Sequence, residues 1–518
     1  MRKIKVQKNI VMSIIILIIV FFVSIYTLSR TDYVISENLF IGVMVGLLIL
    51  TIIGIITIVK IFKSNNIKPE KALLCIIIPF CIIITVAMPV GRGHDEYMHW
   101  IKAFEVSEGR FISKIDNEKK QSVAIVPENV QNIVKERQHG IYKYVDNIPL
   151  LQEKINYDNY IQIPNQNAAA YCFVQYIPEV LGILIGKVIT QNPLLSAYIS
   201  RIANIVTCTM LMYFAIKLIP FGKNILLILS IIPIVIEGFS TISPDGITIA
   251  ICALFISYTM YIAFDKNKKC GAKEMLILTT LGAIVSLCKI VYMPLIFLAI
   301  IIPKEKFKSK KNKIFYLTII IGIGVICNLI WLGFGSMALL STNTNTYAGT
   351  EQNGTVIKVM SILSNPIMYL QKLFYTIGVK GNQYFLSLFG GQLEWAETIR
   401  MDFIPYIICG ISIITAISEH DLKDKLNKYQ KIIILFIILV ITILIFTSLF
   451  IQWSENNLNY IDGVQGRYFL PILPLVLILI NGIKVNSKYT TLDITKLICI
   501  SSIIVQLYTL TALLAEHL

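Results

Sequence analysis

Residues 432–452, IIILFIILVITILIFTSLFIQ, form an apolar run without a single charge, and this run decides the fold class. A helix needs about 20 predominantly apolar residues to cross a bilayer. Runs of this size recur along the 518-residue chain, in which 56% of residues are hydrophobic and 15% are charged. An ordinary soluble domain has about 25% charged residues. The composition excludes a soluble enzyme, a disordered chain and a disulfide scaffold, and it predicts an all-α polytopic membrane protein.

Two long polar segments divide the apolar runs into five parts. In order, these are three N-terminal helices, a first extracytoplasmic loop with a juxtamembrane helix, a central bundle with short or broken helices, a second large extracytoplasmic loop, and the C-terminal helices. We expect about thirteen transmembrane helices in total. The five parts are residues 1–90, 91–167, 168–336, 337–400 and 401–518.

The orientation follows from lysine and arginine, which collect in short cytoplasmic loops. Basic residues flank the first spans and fill the stretch 303–313, so we expect a cytoplasmic N-terminus and polar segments on the outer side. This asymmetry accounts for the net charge of +15 without nucleic acid as a partner. With this orientation, residues 168–218 must cross the membrane an odd number of times, although they contain two apolar runs. One of the two runs is therefore expected to be re-entrant or interfacial, and 168–187 is favoured. The same orientation also requires a bend near Lys289.

The densest polar cluster is GRGHDEYMHW, residues 91–100, at the end of the third span. Read at 100° per residue, residues 95–108 form an amphipathic helix that ends at Gly109. We expect one face to lie in the lipid headgroups and the other to face a cavity in the protein. The first face carries Tyr97, Trp100, Ile101 and Phe104, and the second carries Asp95, His99 and Lys102.

Asp95 and His99 are four residues apart, so their side chains can meet on one helix face. A carboxylate beside an imidazole can take a proton from a hydroxyl group, so Asp95, with Glu96 and His99, is a candidate for general base catalysis. Two alternatives are open. The helix could be interfacial with solvated charges, or Asp95 or Glu96 could bind a divalent cation together with His99. No third ligand is evident, so no metal site is predicted and no cofactor is expected.

Three further polar groups are expected at the same surface. Asp245 begins a span, where capping is the alternative role for a carboxylate. Lys289 interrupts an apolar run, where a charge usually lines a functional cavity, although it could also snorkel to the headgroups. Arg467 lies in DGVQGRY at a helix start, where a guanidinium and backbone N–H groups can bind phosphate; pairing with a lipid headgroup is the alternative. Gln465 and Tyr468 flank this arginine.

Residues Gly390–Trp395 of the second polar segment form a weaker candidate. Glu394 and Trp395 could contact a sugar, because an indole offers a flat face to C–H groups. Tryptophan and glutamate are also common at membrane interfaces.

Five stretches together resemble a bacterial family of polytopic membrane proteins known as domain of unknown function 2142. They are GRGHDEYMHWIKAFEVSEG, YCFVQYIPEVLGILIG, RIANIVT, ISPDG with LCKIVYMP, and GVQGRYFLPILP. The resemblance runs from about residue 85 to 480. Where the family often has two prolines before Asp-Glu, this chain has Gly93 and His94.

That family looks like the GT-C class of membrane glycosyltransferases, in which Asp95, Asp245 and Lys289 match characteristic positions. The resemblance implies a bacterial plasma membrane protein that moves a sugar from a polyprenyl-phosphate carrier. The acceptor would be a cell-surface glycan, a teichoic acid or a lipid. Asp95 would be the base, Arg467 and Lys289 would hold the donor phosphate, and Asp245 would orient the acceptor or the lysine. The rival hypotheses are a glycolipid or polysaccharide transporter or flippase, and a non-catalytic subunit of a cell-envelope assembly machine.

Overall fold

The computed structural model describes residues 2–29, 37–116, 118, 121–135, 147–340, 355–394, 398–419, 425–454, 458–481 and 489–517. Within these residues the chain is mostly helical. Eight helices are long and apolar enough to cross a membrane, and a bent pair makes nine if it counts as one span. The membrane-protein class is confirmed, and the described residues hold fewer full-length spans than the thirteen expected.

The first three helices and the last helix of the chain form one bundle. All four qualify as membrane spans, and the last helix packs against each of the other three. A hydrogen bond of 2.7 Å from Thr511 Oγ1 to Ser24 Oγ joins the first and last helices. These helices are α1 (Arg2–Ser29), α2 (Glu37–Lys63), α3 (Pro69–Ala87) and α19 (Thr491–His517).

The polar segment after α3 folds as a small cap. Its first helix, α4 (Glu96–Ser107), confirms the helix expected at 95–108. Gly109 has φ of 80°, a left-handed conformation that glycine adopts without strain, and it follows the helix end as predicted. A three-stranded antiparallel sheet in the order β1-β2-β3 covers α4, so the protein is not purely α-helical. The other elements of the cap are β1 (Lys114–Asp116), β2 (Gln121–Pro127), α5 (Glu128–Asn132) and β3 (Tyr160–Pro164).

The apolar face of α4 packs inside this cap. Trp100, Ile101 and Phe104 are fully buried, and Trp100 Nε1 donates a 2.9 Å hydrogen bond to the Val130 carbonyl. The expectation that this face lies in the lipid headgroups is therefore wrong. Helical periodicity identifies an apolar face but does not say whether lipid or protein covers it.

The next region contains α6 (Gln166–Ala169), α7 (Ile177–Ile189) and α8 (Pro193–Leu218). The 13 residues of α7 rise about 20 Å, which is short of the roughly 30 Å hydrocarbon core. Gly182 of α7 packs directly on the backbone of α8, where an added Cβ would lie 2.4 Å from Ser200 Cα. Of this pair only α8 qualifies as a span, which fits the expectation that 168–187 does not cross.

The central bundle contains two breaks. Pro233 begins α10, which is bent by 68° relative to α9, so these two helices do not form one straight span. Proline has no N–H for the preceding turn, which explains the break. The predicted bend at Lys289 is present, because that residue is extended between α12 and a 3-10 helix, Ile290–Ile301. The helices here are α9 (Lys223–Ser230), α10 (Pro233–Ser240), α11 (Pro244–Phe264), α12 (Ala272–Cys288) and α13 (Lys310–Leu340).

The segment 337–400, expected as a large loop, contains two helices and a short hairpin. These are α14 (Thr355–Ser364), α15 (Pro366–Leu388), β4 (Gln392–Leu393) and β5 (Ile399–Arg400). Lysine, glutamine and asparagine make α15 too polar to look like a span, yet its apolar residues still follow a helical period. The chain continues through α16 (Ile404–Ser418), α17 (Lys428–Gln452), a 3-10 helix (Gly466–Ile472) and α18 (Leu473–Ile480).

Candidate functional site

Four charged residues that the sequence analysis singled out meet in one chain of ion pairs. Arg467 Nη2 donates to Asp95 Oδ2 at 2.5 Å, and Arg467 Nη1 lies 3.4 Å from Asp245 Oδ2. Lys289 Nζ donates to Asp245 Oδ1 at 2.6 Å. The order Asp95–Arg467–Asp245–Lys289 joins residues up to 372 positions apart. We call these four residues the ion-pair chain.

Each member lies where a helix begins or breaks. Asp95 immediately precedes α4, and Asp245 lies in the first turn of α11. Lys289 separates α12 from the 3-10 helix that follows it, and Arg467 lies in the first turn of the 3-10 helix Gly466–Ile472. Four separate parts of the chain therefore meet at one end of the bundle. Because backbone polar groups are unpaired at helix ends, this end supplies a polar surface beside an apolar bundle.

Asp95 has an unusual backbone conformation. Its φ is 56° and its ψ is 11°, a left-handed geometry that is uncommon for residues other than glycine. Its side chain keeps 37% of its surface exposed, whereas the Arg467 side chain exposes only 6%. Asp95 is therefore the member of the ion-pair chain that is open to an incoming molecule.

Two glycines set the position of Arg467. A Cβ on Gly466 would lie 2.1 Å from the Tyr384 carbonyl oxygen, so only glycine allows this close approach to α15. The Gly466 N–H donates to Ser387 Oγ at 2.8 Å. This N–H is used inside the protein and is therefore not open to a phosphate. Gly463, with φ of 80°, turns the chain against Trp453.

Aromatic side chains surround the two basic groups. Lys289 Nζ lies 5.2 Å from the Tyr171 ring centre and 4.9 Å from the Tyr468 ring centre, and the Arg467 guanidinium lies 5.4 Å from the latter. Such cation–π contacts hold a cation in place without neutralising its charge. The predicted residue Tyr468 thus forms part of the wall of the site. The Tyr292 hydroxyl donates a hydrogen bond of 2.8 Å to the backbone carbonyl oxygen of Tyr468.

His99 lies beside the ion-pair chain, on α4. Its Nδ1 is 2.7 Å from the Tyr176 hydroxyl, and its ring contacts Tyr171 edge-on at 5.2 Å. Burial lowers the pKa of His99 to about 4, although the Asp95 and Asp245 carboxylates favour its charged form. The imidazole is therefore neutral near pH 7. Burial would raise the pKa of Asp95, but the charge and hydrogen bond of Arg467 and the smaller effects of His99 and His94 together outweigh burial, and this pKa lies below the ordinary aspartate value.

Two buried polar atoms at the site make no hydrogen bond within the described residues. They are Arg467 Nε, a donor, and Gln465 Oε1, an acceptor. Leaving a buried donor or acceptor unpaired costs free energy, and a ligand can relieve this cost. The site therefore retains a hydrogen-bond donor on its most basic residue.

Glu96 belongs to a different arrangement from its neighbour Asp95. Arg201 donates to it twice, from Nε to Oε1 at 2.8 Å and from Nη2 to Oε2 at 2.6 Å. The backbone N–H groups of Gly91 and Ile242 donate to the same carboxylate at 2.8 and 2.9 Å. Both side chains are fully buried. This geometry fixes the turn before α4 and leaves Glu96 without an exposed atom, so its predicted role as a base has no support from its surroundings.

Arg201 also binds the end of α3. Its Nη1 donates to the carbonyls of Thr85 and Met88 at 2.9 and 2.6 Å, and its Nη2 donates to Pro89 at 3.0 Å. Carbonyls at the end of a helix lack partners within the helix. One arginine therefore joins α8, the end of α3 and the turn that carries Asp95.

Glu394 lies in a separate buried network. Arg92 Nη2 donates to its Oε2 at 3.0 Å, and His517 Nε2 contacts its Oε1. Its backbone N–H donates to Glu237, which also contacts His94 at 2.6 Å. The Glu394 side chain is fully buried, so the structure does not bring it to the ion-pair chain. The predicted partner of Glu394 in sugar binding, Trp395, lies outside the described residues.

Lys102, expected on the polar stripe with Asp95 and His99, is also separate. It is fully buried, and its Nζ donates to Glu105 at 3.0 Å and to Ser113 at 2.9 Å inside the cap. Among the described residues no group of three or more His, Cys, Asp or Glu side chains is placed to hold a metal ion.

Sequence reasoning missed Tyr171, Tyr176 and Arg201. The two tyrosines lie in YCFVQY, one of the stretches that carries the family resemblance, but the contact between Tyr176 and His99 spans 77 positions of sequence. Arg201 did carry a signal, because an arginine inside an apolar run is expensive unless it has a partner.

A family model described as predicted membrane protein DUF2142 matches residues 78–476. The chain belongs to this family. The match contains all four members of the ion-pair chain and also Glu96, His99 and Arg201. No curated protein and no solved structure matches the chain. Membership in DUF2142 establishes a membrane protein but assigns no reaction, so the similarity to GT-C glycosyltransferases depends on the sequence patterns described above.

Proposed function

We propose that this DUF2142 chain is a membrane glycosyltransferase of the GT-C type. The observation that carries the proposal is the contact between Asp95 and Arg467. It puts a partly exposed carboxylate against a buried guanidinium that has an unpaired N–H. A base and a phosphate-binding cation within one contact are what transfer from a lipid-phosphate sugar requires.

The reaction would use each group in a defined way. The donor phosphate binds to Arg467, and Lys289 supplies a second positive charge. The bond between the anomeric carbon and the phosphate oxygen breaks, and its electron pair leaves with the phosphate. The acceptor oxygen forms a new bond to that carbon, and its proton passes to Asp95. Positive charge beside the leaving phosphate stabilises the charge that develops there.

Donor binding would also make Asp95 a better base. Paired with Arg467 alone, its low pKa makes it a weak proton acceptor. A phosphate on the same guanidinium adds negative charge beside the carboxylate, and a nearby like charge raises the pKa of an acid. The base would therefore gain strength only when the donor is in place, which limits proton transfer to the loaded site.

Asp245 would act as a positioning residue. It lies between the two cations, 2.6 Å from Lys289 Nζ and 3.4 Å from Arg467 Nη1. A carboxylate between two cations holds both side chains in one geometry and reduces their mutual repulsion. The rings of Tyr468 and Tyr171 also contact the Lys289 ammonium group and help to hold it in place.

The test is transfer of radiolabel from polyprenyl-phosphate hexoses by the full-length protein in nanodiscs, with envelope glycans and lipids as acceptors. Asp95→Asn keeps the shape and removes the basicity, so transfer should fall at least about 100-fold. The matched control is Asp158→Asn, an exposed aspartate of the same polar segment, which should transfer as the unmodified chain does. No transfer by the unmodified chain from any donor, or equal transfer by Asp95→Asn, contradicts the proposal. Movement of an intact labelled lipid across the bilayer would instead support a flippase.

A further inference from the structure

An apolar groove is lined by α2, α3 and α19, away from the ion-pair chain. It encloses about 510 Å³, within the range of small-molecule sites in proteins. Gly54, Pro79, Ile83 and Leu507 are among its lining residues. Pro79 lies inside α3, where proline removes one backbone hydrogen bond and bends a helix. Gly54 instead marks a close contact, because a Cβ there would lie 2.9 Å from the Leu17 side chain and 3.2 Å from that of Ile503.

Three lysines lie at one end of this groove. Lys60 is on the last turn of α2, Lys68 precedes α3, and Lys71 is in the first turn of α3; all three line the groove and are exposed. Within the described residues none of them forms an ion pair. The neighbouring acid, Glu70, is buried and lies 3.9 Å from Lys223, so it does not neutralise them. The groove is thus apolar along its length and positively charged at one end.

The dimensions match one leaflet of a bilayer. From Lys71 to Ile83 the helix α3 advances by 12 residues, or about 18 Å at 1.5 Å per residue. One leaflet of the hydrocarbon core is roughly 15 Å thick, half of about 30 Å. An acidic phospholipid combines an acyl chain of about this length with an anionic head. Its acyl chain would fit the groove, and its phosphate would lie beside the lysines.

We propose that this groove is a specific binding site for one anionic phospholipid of the leaflet on the lysine side, which the lysine pattern predicts to be cytoplasmic. The site is independent of the proposed transferase chemistry, because it lies at the start of α3 whereas Asp95 follows its end. The bound lipid would fill the space between α2, α3 and α19 and hold these helices together.

Native mass spectrometry of the full chain, reconstituted with equal amounts of phosphatidylglycerol and phosphatidylcholine of the same acyl composition, tests the charge requirement. The unmodified chain should retain phosphatidylglycerol about tenfold over phosphatidylcholine, since each lysine near the surface attracts an anionic head. Changing Lys60, Lys68 and Lys71 together to Gln should abolish the preference, and changing them to Arg should keep it. If the unmodified chain shows no preference, the proposal fails.

The matched control neutralises three exposed lysines that lie elsewhere on the same predicted side, Lys308, Lys310 and Lys311. It should keep the preference, and an equal loss in this variant would overturn the assignment of the preference to the groove lysines. Ile53→Trp fills the groove at a lining residue and should lower retention of both lipids several-fold. Leu435→Trp, at a lipid-exposed position of α17, should not. Unchanged retention in Ile53→Trp would overturn the location even if the lysine result holds.

Discussion

Glu96→Gln separates a structural role of Glu96 from the catalytic role that its position beside Asp95 first predicts. The amide keeps the size of the side chain but removes the charge that faces Arg201, and it turns one acceptor into a donor. Arg201 and the N–H groups of Gly91, Gly93 and Ile242 all donate to this carboxylate. Removing one partner of a fully buried ion pair costs about 3–5 kcal/mol, because the other charge stays buried without compensation.

Thermal unfolding in detergent, followed with a thiol-reactive dye, measures this loss. Seven of the ten cysteines are buried, so they react when the bundle opens. A loss of this size lowers the midpoint on the order of 5–10 °C. The control Glu128→Gln changes an exposed glutamate of the cap and should shift it by less than about 1 °C. If Glu96→Gln melts like the control but loses transfer, Glu96 acts in the chemistry and the structural assignment is refuted.

Three further outcomes are expected. Arg467→Lys should weaken donor binding, and Arg467→Ala should weaken it further, about 10- to 150-fold. The control Arg400→Ala should bind the donor as the unmodified chain does. Equal donor affinity in nanodiscs for all of these proteins would remove Arg467 from the site. Because the pKa of His99 is lowered to about 4, the unfolded chain binds more protons between pH 6.5 and 4. Stability should therefore fall as pH falls through this window, and thermal melts of His99→Gln should show a smaller slope. A cysteine placed at Asp158 should react with an impermeant thiol reagent from outside intact cells and one at Lys310 should not; labelling of position 310 would reverse the orientation.

Composition and hydropathy predict the membrane class, the helix α4 and the break at Lys289, because each depends on local sequence. They also predict that Asp95, Asp245, Lys289 and Arg467 share one end of the bundle, since each follows or begins an apolar run. They do not predict which charges pair. Asp95 and Glu96 are adjacent and chemically alike, yet one is open to solvent and the other is buried on an arginine.

The sequence does not predict ion pairs between residues that are far apart along the chain. The contact between Glu96 and Arg201 spans 105 positions, and that between Arg92 and Glu394 spans 302. The apolar face of α4 shows the same limit, because periodicity marked Trp100 as part of an apolar surface without indicating that the cap covers it. Apolar content also does not give the length of a helix: α7 has 13 residues and α10 has eight, too few to cross a bilayer.

The central claim is that Asp95 removes the acceptor proton while Arg467 binds the donor phosphate. The most direct test measures donor binding and single-turnover transfer for Asp95→Asn in the same nanodisc preparation. The account predicts donor affinity equal to or tighter than that of the unmodified chain, because a negative charge beside the phosphate has been removed, together with transfer slowed at least about 100-fold. Transfer at an undiminished rate, or a parallel loss of donor binding and transfer, would contradict it.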